Sequence, residues 1–205
     1  MQNAVAPPPT WVRFTAGAGA SEREGERADR YRVEHVTTVR GTPLLGIDVG
    51  ASLTRIESTL GVPAGAGDLV GVTAPLAYTR AAERAELASP APLGTPTAHA
   101  VMIPISRKNS WWALAHDERD HLFRGAGKSD GHVKVGRPYA PRLFRKLYHC
   151  RGLPGAGWDF LTYFEFEPAL ADDFRALVAG LRDPARNPEW ETVERETEIW
   201  LKKVG

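Results

Sequence analysis

One arginine, Arg145, stands where a strand would normally carry an apolar residue. It lies in RLFRKLYHC, residues 142–150, where the period of two that strands follow puts it on one face with Leu143 and Leu147. A guanidinium is always charged, and a charge among apolar neighbours needs an anionic partner. Two interpretations are open: an ion pair with a carboxylate at the edge of the core, or the binding of a small anion. Because Lys146 places a charge on the other face of the same strand, the position of Arg145 alone does not decide between them.

The glycine-rich stretch GAGKSDGH, residues 125–132, contains the GKS tripeptide of phosphate-binding loops. Such a loop needs a glycine five residues before Gly127, and Leu122 stands there. A proline-bearing segment follows, instead of a long helix whose N-terminus could face a phosphate. The stretch therefore does not predict a nucleotide site. Its last residue, His132, is the candidate for chemistry because neutral imidazole is a common metal ligand, although a single loop histidine is more often not one.

The other histidines and tryptophans give weaker signals. His116 and His121 are five residues apart on a predicted helix, which is a poor spacing for a shared metal, and no Cys/His cluster has the spacing of a zinc site. Trp111 and Trp112 would ordinarily be core residues. From these residues alone, we expect an α+β protein whose sheet faces a ligand.

The C-terminal half contains the elements that must position these residues. Period-two and period-3.6 patterns of apolar residues predict the order strand, helix, strand, strand, helix, strand, with Ser110 as the cap of the first helix. The segments are TAHAVMIPIS (97–106), RKNSWWALAHDERDHLF (107–123), RLFRKLYHC (142–150), DFLTYFEFEP (159–168), ADDFRALVAGLRDP (171–184) and ETVERETEIWL (191–201). This order is that of a split βαβ, or ferredoxin-like, unit.

The N-terminal half is less regular. Residues 1–29 combine PPP, AGAGA and a charge-rich run, which predicts a mobile arm. Residues 30–96 are predicted to be a degenerate copy of the ferredoxin-like unit, and 97–205 the complete one. The predicted elements of the copy are a strand at 30–41, a helical piece at 52–60, a strand at 69–78 and a short helix at 79–88. Two units side by side predict an antiparallel sheet with helices packed on one side.

Composition narrows the class of partner. The chain has 205 residues, 26 of them basic and 25 acidic, and its net charge of +1 is too small to draw it to nucleic acid or to an acidic membrane surface. Its single cysteine, Cys150, cannot form an internal disulfide, which fits a reducing compartment. The start lacks the pattern of a secretory signal, and no apolar run has the roughly 18 residues of a membrane span. We therefore expect a soluble, cytoplasmic protein that binds a small ligand.

Residues 97–202 resemble the chlorite dismutase family of haem b proteins. The resemblance is carried by IPISRKNSWWAL, His132, RKLYHCRGL and DFLTYFEFEP, with a weaker echo in GVTAPLAYTRAAE. In that family a histidine ligates the haem iron and an arginine thirteen residues later overhangs the opposite face of the haem, and here 145 − 132 is thirteen. The resemblance implies two ferredoxin-like βαββαβ units in the arrangement of the dimeric α+β barrels. The chain length resembles the short branch of the family, which implies a homodimer.

The resemblance also implies a role for each matching residue. His132 would be the axial ligand of the iron of haem b, iron protoporphyrin IX, and Arg145 the catalytic residue opposite it. Glu189 would accept the second N–H of the histidine. The residues implied to contact the haem are Tyr78, Arg107, Lys108, Trp111 and Trp112. The sequence departs from the family pattern at two places. Three glycines precede His132 and would loosen its side of the site, and Ala74 and Pro75 replace a usual polar pair.

The activity implied by the resemblance is the decomposition of chlorite to chloride and dioxygen, with Arg145 retaining a transient hypochlorite. Three alternatives share the scaffold: a haem enzyme with peroxidase-like or coproheme-processing activity, a non-enzymatic haem-binding protein, and a haem-free scaffold whose open sheet a partner covers. Arg145 argues against a coproheme decarboxylase, because those enzymes resemble this pattern but generally lack an arginine at the matching position.

Overall fold

The computed structural model describes residues 8–17, 26–73, 80–83, 85–125 and 127–204. These residues contain eight strands and four α-helices. The strands are β1 (Trp11–Ala16), β2 (Glu26–Arg40), β3 (Ser52–Ser58), β4 (Leu69–Val72), β5 (His99–Arg107), β6 (Phe144–His149), β7 (Phe160–Phe166) and β8 (Val193–Lys203). The helices are α1 (Asn109–Ala113), α2 (His116–Arg124), α3 (Gly131–Gly136) and α4 (Ala171–Leu181). A 3-10 turn at Pro188–Thr192 leads into β8.

The strands form one antiparallel sheet that closes into a barrel in the order β1-β3-β2-β8-β5-β7-β6-β4. Closure is complete but narrow, because β4 meets β6 through a single pair, Val72 with His149. A Cβ atom on Gly71 would lie 2.7 Å from Cβ of Tyr148. Glycine therefore allows the backbone of β4 to approach β6 at this seam.

Each half of the ring repeats one strand order. The four strands of the first half lie in the order β4-β1-β3-β2 and those of the second in the order β8-β5-β7-β6, which is fourth, first, third, second in both. This is the ferredoxin-like order, so the predicted fold class is confirmed. The boundary between residues 96 and 97 stays a proposal, supported by the repeat of strand order, but the first half begins before the predicted residue 30, because it includes β1 and the start of β2.

The two halves differ in what covers the outside of the sheet. In the second half α3 and α4 lie on the outer face of β5 and β7, where Phe166 stacks on Phe174 with ring centroids 4.9 Å apart. In the first half, residues 59–68 join β3 to β4 without a helix. This segment instead bonds to the outside of β1, since Arg13 donates to the carbonyl of Pro63 at 2.7 Å. Helices thus cover only the C-terminal half of the described sheet.

The inside of the barrel is filled by side chains, apolar ones such as Phe14 and Met102 together with a buried ionic network. Arg55 is 4% exposed and bonds to Asp29 at 3.0 Å and to Glu57 at 2.7 Å. Burial alone would raise the pKa of both carboxyls, but Arg55 and two lysines outweigh it, and the pKa of each is lowered. The lysines, Lys203 and Lys146, lie 2.6 and 2.8 Å from Asp29 and Glu57 respectively. A buried charge needs this degree of compensation.

The prediction of a mobile arm over residues 1–29 is wrong for residues 11–16 and 26–29. The first form β1 and the second begin β2, and both pair with β3. Val12 and Phe14 alternate into the barrel and are fully buried, a signal that the polar composition around them obscured. Residues 1–7 and 18–25 lie outside the described residues.

Three predicted helices also differ from the structure. Residues 52–60 supply strand β3, because Leu53 and Arg55 face the interior between two partner strands, and this pairing overrides local propensity. Within the predicted helix at 79–88, the described residues contain a 3-10 turn at Ala81–Glu83. The helix at 107–123 is two helices, with Lys108 instead of Ser110 as the cap, and Arg119 satisfies the carbonyl of Leu114 at the break. No helix in the described ranges is long and apolar enough to cross a membrane.

Replacing Phe14 with alanine tests whether β1 belongs to the core. Phe14→Ala should lower the free energy of unfolding by about 3–5 kcal/mol, because it leaves a cavity inside the barrel. Leu45→Ala is the control, since that side chain is 85% exposed, and should change stability by about 0.5 kcal/mol or less. Urea denaturation measures both, and equal effects would mean that β1 contributes no core.

Candidate functional site

A cavity of about 280 Å³ lies between the outer face of the sheet and the helices of the C-terminal half. One wall is formed by α3 and the end of α2, and the other by β5, β6 and β7. The helix wall includes Phe123, His132, Val133, Gly136 and Tyr139; the sheet wall includes Ile103, Ile105, Arg145, Leu147, Phe160, Thr162 and Phe164. The cavity is therefore mainly apolar, with His132 and Arg145 on opposing walls.

The helix wall presents a histidine held in one orientation. Nδ1 of His132 lies 3.0 Å from Oε2 of Glu189, and the ring stacks on Phe123 with centroids 4.5 Å apart and planes 16° apart. Because an ionised carboxylate can only accept, Nδ1 must carry the proton. Nε2 has no hydrogen-bond partner among the described residues, so it is the nitrogen available to a metal.

Glu189 joins the histidine to an arginine. It is 2% exposed, and its other carboxylate oxygen, Oε1, accepts from Arg107, whose guanidinium also donates to the carbonyl of Glu189 at 3.1 Å and to Thr192 at 2.8 Å. Burial would raise the pKa of Glu189, but the charge of Arg107 and the bond to His132 outweigh it and hold the pKa at about 2. The carboxylate is therefore ionised at any physiological pH.

The sheet wall presents a guanidinium with no ion-pair partner among the described residues. Arg145 is an exposed residue that borders the cavity, yet many protein atoms lie around its guanidinium, and the resulting desolvation lowers the pKa of the guanidinium. An arginine nevertheless stays charged in a protein. The sequence left two interpretations of Arg145 open, an ion pair with a carboxylate or the binding of a small anion. No such ion pair is found in the described part of the chain. The cavity holds a positive charge that an anion could neutralise.

A covering segment, residues 80–83 and 85–90, connects the two walls. Glu83 pairs with Arg124 on α2, and the side chain of Ser89 contacts the backbone N–H of Arg145 at 3.2 Å. Leu87 and Ser89 line the cavity. Sequence analysis missed this role, because an ion pair between residues 41 apart leaves no periodic pattern in the sequence.

The structure brings together most, but not all, of the predicted site residues. His132, Arg145, Arg107, Trp111 and Glu189 line the cavity. Lys108 is exposed and absent from its wall, and Trp112 lies behind the wall, stacked on Phe160 with centroids 5.9 Å apart. Arg107, predicted at the edge of a ligand, is instead bound to the buried carboxylate of Glu189. Tyr78, Ala74 and Pro75 lie outside the described residues.

Two polar residues of the sheet wall were not predicted as site residues. Thr162 shares the outer face of β7 with the phenylalanines, and His149 shares that of β6 with Arg145. Burial lowers the pKa of His149, whose ring meets Phe160 edge-on with centroids 5.2 Å apart. The alternation that places Arg145 and Phe160 in the wall could have identified both residues.

Acid should remove the stabilising effect of Glu189. Its pKa is about 2 in the folded chain against an ordinary 4.5, so the stabilisation is complete above pH 4.5 and lost as pH falls toward 2. The stability difference between wild type and Glu189→Gln should therefore shrink by about 3 kcal/mol between pH 5 and pH 2.

Urea denaturation at a series of pH values measures this difference. Glu191→Gln, at a carboxylate whose side chain is 62% exposed, is the control and should unfold with the pH dependence of the wild type. A difference that stays constant with pH would mean that Glu189 is not held ionised by its neighbours.

Comparisons with solved structures place this architecture among known proteins. The dimeric chlorite dismutase from Nitrobacter winogradskyi is 30% identical, with a TM-score of 0.70 over 93% of this chain and 99% of that one. The chlorite dismutase from Candidatus Nitrospira defluvii in complex with imidazole has a TM-score of 0.66 over 98% of this chain and 93% of that one. At 20% identity the second likeness shows the fold alone.

Sequence comparisons agree. A curated chlorite dismutase from Ideonella dechloratans is 31% identical over 101 residues, which are 47% of this chain and 33% of that protein, so the match spans about a third of the relative's length. The profile of the family described as Chlorite dismutase matches residues 51–199, most of this sequence. The chain belongs to the chlorite dismutase family.

Proposed function

We propose that this protein is a haem b-dependent enzyme that decomposes chlorite to chloride and dioxygen. One observation carries the proposal: a cavity with a carboxylate-backed histidine, His132, on one wall and an unpaired guanidinium, Arg145, on the other. Membership of the family supports it.

The residues present fit a haem. Among the described residues, no group of three or more His, Cys, Asp or Glu could hold a metal ion by itself. A single imidazole nitrogen suits an iron whose remaining ligands come from a porphyrin. The apolar side chains of both walls suit the faces of the macrocycle. The indole N–H of Trp111, on the cavity wall, is buried without a partner in the described structure and could donate to a haem carboxylate.

Glu189 would control how His132 holds the iron. Because it accepts from Nδ1, it fixes the tautomer that leaves Nε2 free, and its negative charge raises the donor strength of the imidazole. Arg107 holds the carboxylate ionised and in place. A bound haem would supply the redox chemistry by which chlorite is cleaved and its oxygen atoms are joined.

Arg145 would hold the anions on the opposite wall. Its guanidinium offers several N–H donors and a charge that no accessible pH removes, so it can bind chlorite without giving up a proton. The same charge would retain a hypochlorite in the cavity instead of releasing this oxidant into the solvent. The absence of a competing carboxylate among the described neighbours leaves the guanidinium free for this task.

Homodimerisation is part of the proposal. The solved structure from Nitrobacter winogradskyi is of a dimeric chlorite dismutase, and this chain covers 99% of it at 30% identity. A subunit of this size could carry a complete site, because both walls of the cavity come from one chain.

Replacing His132 with alanine tests the iron ligand. The wild type should bind haemin stoichiometrically in a spectrophotometric titration, with the Soret band of a five-coordinate, histidine-ligated haem. His132→Ala should lose that spectrum and bind haemin at least about 10-fold more weakly, because no other imidazole or thiolate among the described residues lies on the helix wall. His121→Ala, on the exposed surface of α2, is the matched control and should keep the wild-type spectrum. An unchanged spectrum in His132→Ala would show that the ligand is a different residue.

Replacing Arg145 with alanine tests the anion site. In an oxygen-electrode cell, Arg145→Ala should bind haem normally but release dioxygen from chlorite about 100-fold more slowly and bleach sooner, because the anion loses its fixed donors. Arg142→Ala is the control, since Arg142 lies three residues away and pairs with Asp173 outside the cavity. Wild-type haem binding without oxygen release would refute chlorite decomposition, and full activity in Arg145→Ala would refute the role of this residue.

A further inference from the structure

The glycine-rich loop before His132 is tightly closed. Gly125, Gly127 and Gly131 have φ angles of +79°, +61° and +69°, which favour glycine. Gly125 and Gly131 meet backbone to backbone where the loop closes: a Cβ on Gly125 would lie 2.5 Å from the carbonyl oxygen of Ser129, and one on Gly131 would lie 2.8 Å from that of Arg124. No side chain fits at this neck, defined by Gly125 and Gly131. Gly127, by contrast, has no atom within 4 Å of its Cβ position.

The neck is bound to the segment that carries Glu189. The backbone N–H groups of Asp130 and Gly131 donate to the carbonyl of Arg186 at 2.9 and 2.8 Å. The carboxylate of Asp130 also pairs with the guanidinium of Arg186 at 3.2 Å. Two backbone bonds and an ion pair thus join the residues directly before His132 to the residue three positions before Glu189.

Helix α4 closes the arrangement from the other side. A Cβ on Gly180 would lie 2.9 Å from a methyl of Val135 on α3 and 3.0 Å from the guanidinium of Arg186. The neck, α3 and the segment leading to Glu189 are therefore packed as one unit. The sequence led us to expect that the glycines loosen the histidine side of the site. In the structure they instead allow a close backbone contact that only glycine permits.

We propose that Gly125 and Gly131 are positioning residues that set the hydrogen bond between His132 and Glu189. The inference rests on the proposed function in that His132 is taken as the iron ligand. Both partners of the 3.0 Å bond are held by the same neck, His132 through the next peptide and Glu189 through Arg186. A side chain at the neck would push α3 away from the 3-10 turn and lengthen that bond.

Gly131→Ala and Gly127→Ala form a matched pair. Both place alanine at a positive φ in the same loop, but only Gly131→Ala meets backbone atoms. Transfer of haem to excess apomyoglobin should be about 10- to 100-fold faster from Gly131→Ala than from wild type, as expected when an outer partner of a metal ligand is lost. Gly127→Ala should change it by about twofold or less. In the ferrous protein, the iron–histidine stretch should move to lower frequency in Gly131→Ala alone, because the carboxylate no longer strengthens the imidazole.

Equal release rates in the two variants, or an iron–histidine stretch unmoved in Gly131→Ala, would overturn the proposal. A measurement on the haem-free wild type covers the case in which Gly131→Ala does not fold. The amides of Asp130 and Gly131 should exchange with deuterium much more slowly than those of Gly127 and Lys128 at the loop tip, and equally fast exchange would overturn the neck as a fixed contact. A wild type that binds no haem would refute the proposed function, while amide exchange would still decide whether the neck is fixed.

Discussion

A buried carboxylate governs the arrangement of this half of the molecule. Glu189 is almost completely enclosed, and a charge in that position is tolerable only if opposite charge and hydrogen bonds surround it. Arg107 from the end of β5 and His132 from α3 supply them, so the sheet, a short helix and the turn before β8 converge on one group. The electrostatic requirement that stabilises the fold is also the one that fixes the tautomer of the histidine. Stability and the proposed chemistry therefore share one set of contacts.

The location of the cavity follows from how the barrel is filled. Aromatic rings and the ionic network around Arg55 occupy the interior of the barrel. The outer face of β5, β6 and β7 is mainly apolar and needs cover, and α3 and α4 cover only part of it. The remaining gap is the cavity. Three paired strands with a packed interior behind them make a firm wall, and the short helices opposite are held by the carboxylate and by the glycine neck.

The parts of this structure that could be predicted from sequence are those with a period. Alternation in DFLTYFEFEP and RLFRKLYHC gave the correct faces of Phe160 and Arg145, and the apolar stripe of α4 gave its buried side. Strands β1 and β3 were missed because they are short and have polar residues at or beside their ends. Their conformation is decided by partner strands that are distant in sequence. The effect of the glycines before His132 was misjudged, because helix propensity describes single residues. The contact that these glycines allow is between Gly125 and Gly131, six positions apart, and it is bonded to the distant Arg186. His132 and Glu189 were paired only through family resemblance, because no local pattern links residues 57 apart.

The ionic network inside the barrel has a consequence for the cavity on the other side of the sheet. Lys146 and Tyr148 alternate with Arg145 and Leu147 along β6, and both are bonded to Glu57 within the barrel. A slip of β6 by a single residue would exchange the two faces, moving Lys146 into the cavity and Arg145 into the interior. Such a slip would leave Glu57 without its partners, so misalignment carries an electrostatic penalty. The interior charges thus favour the correct register of β6. In that register the cation on the cavity side is the planar guanidinium of Arg145 and not the ammonium group of Lys146.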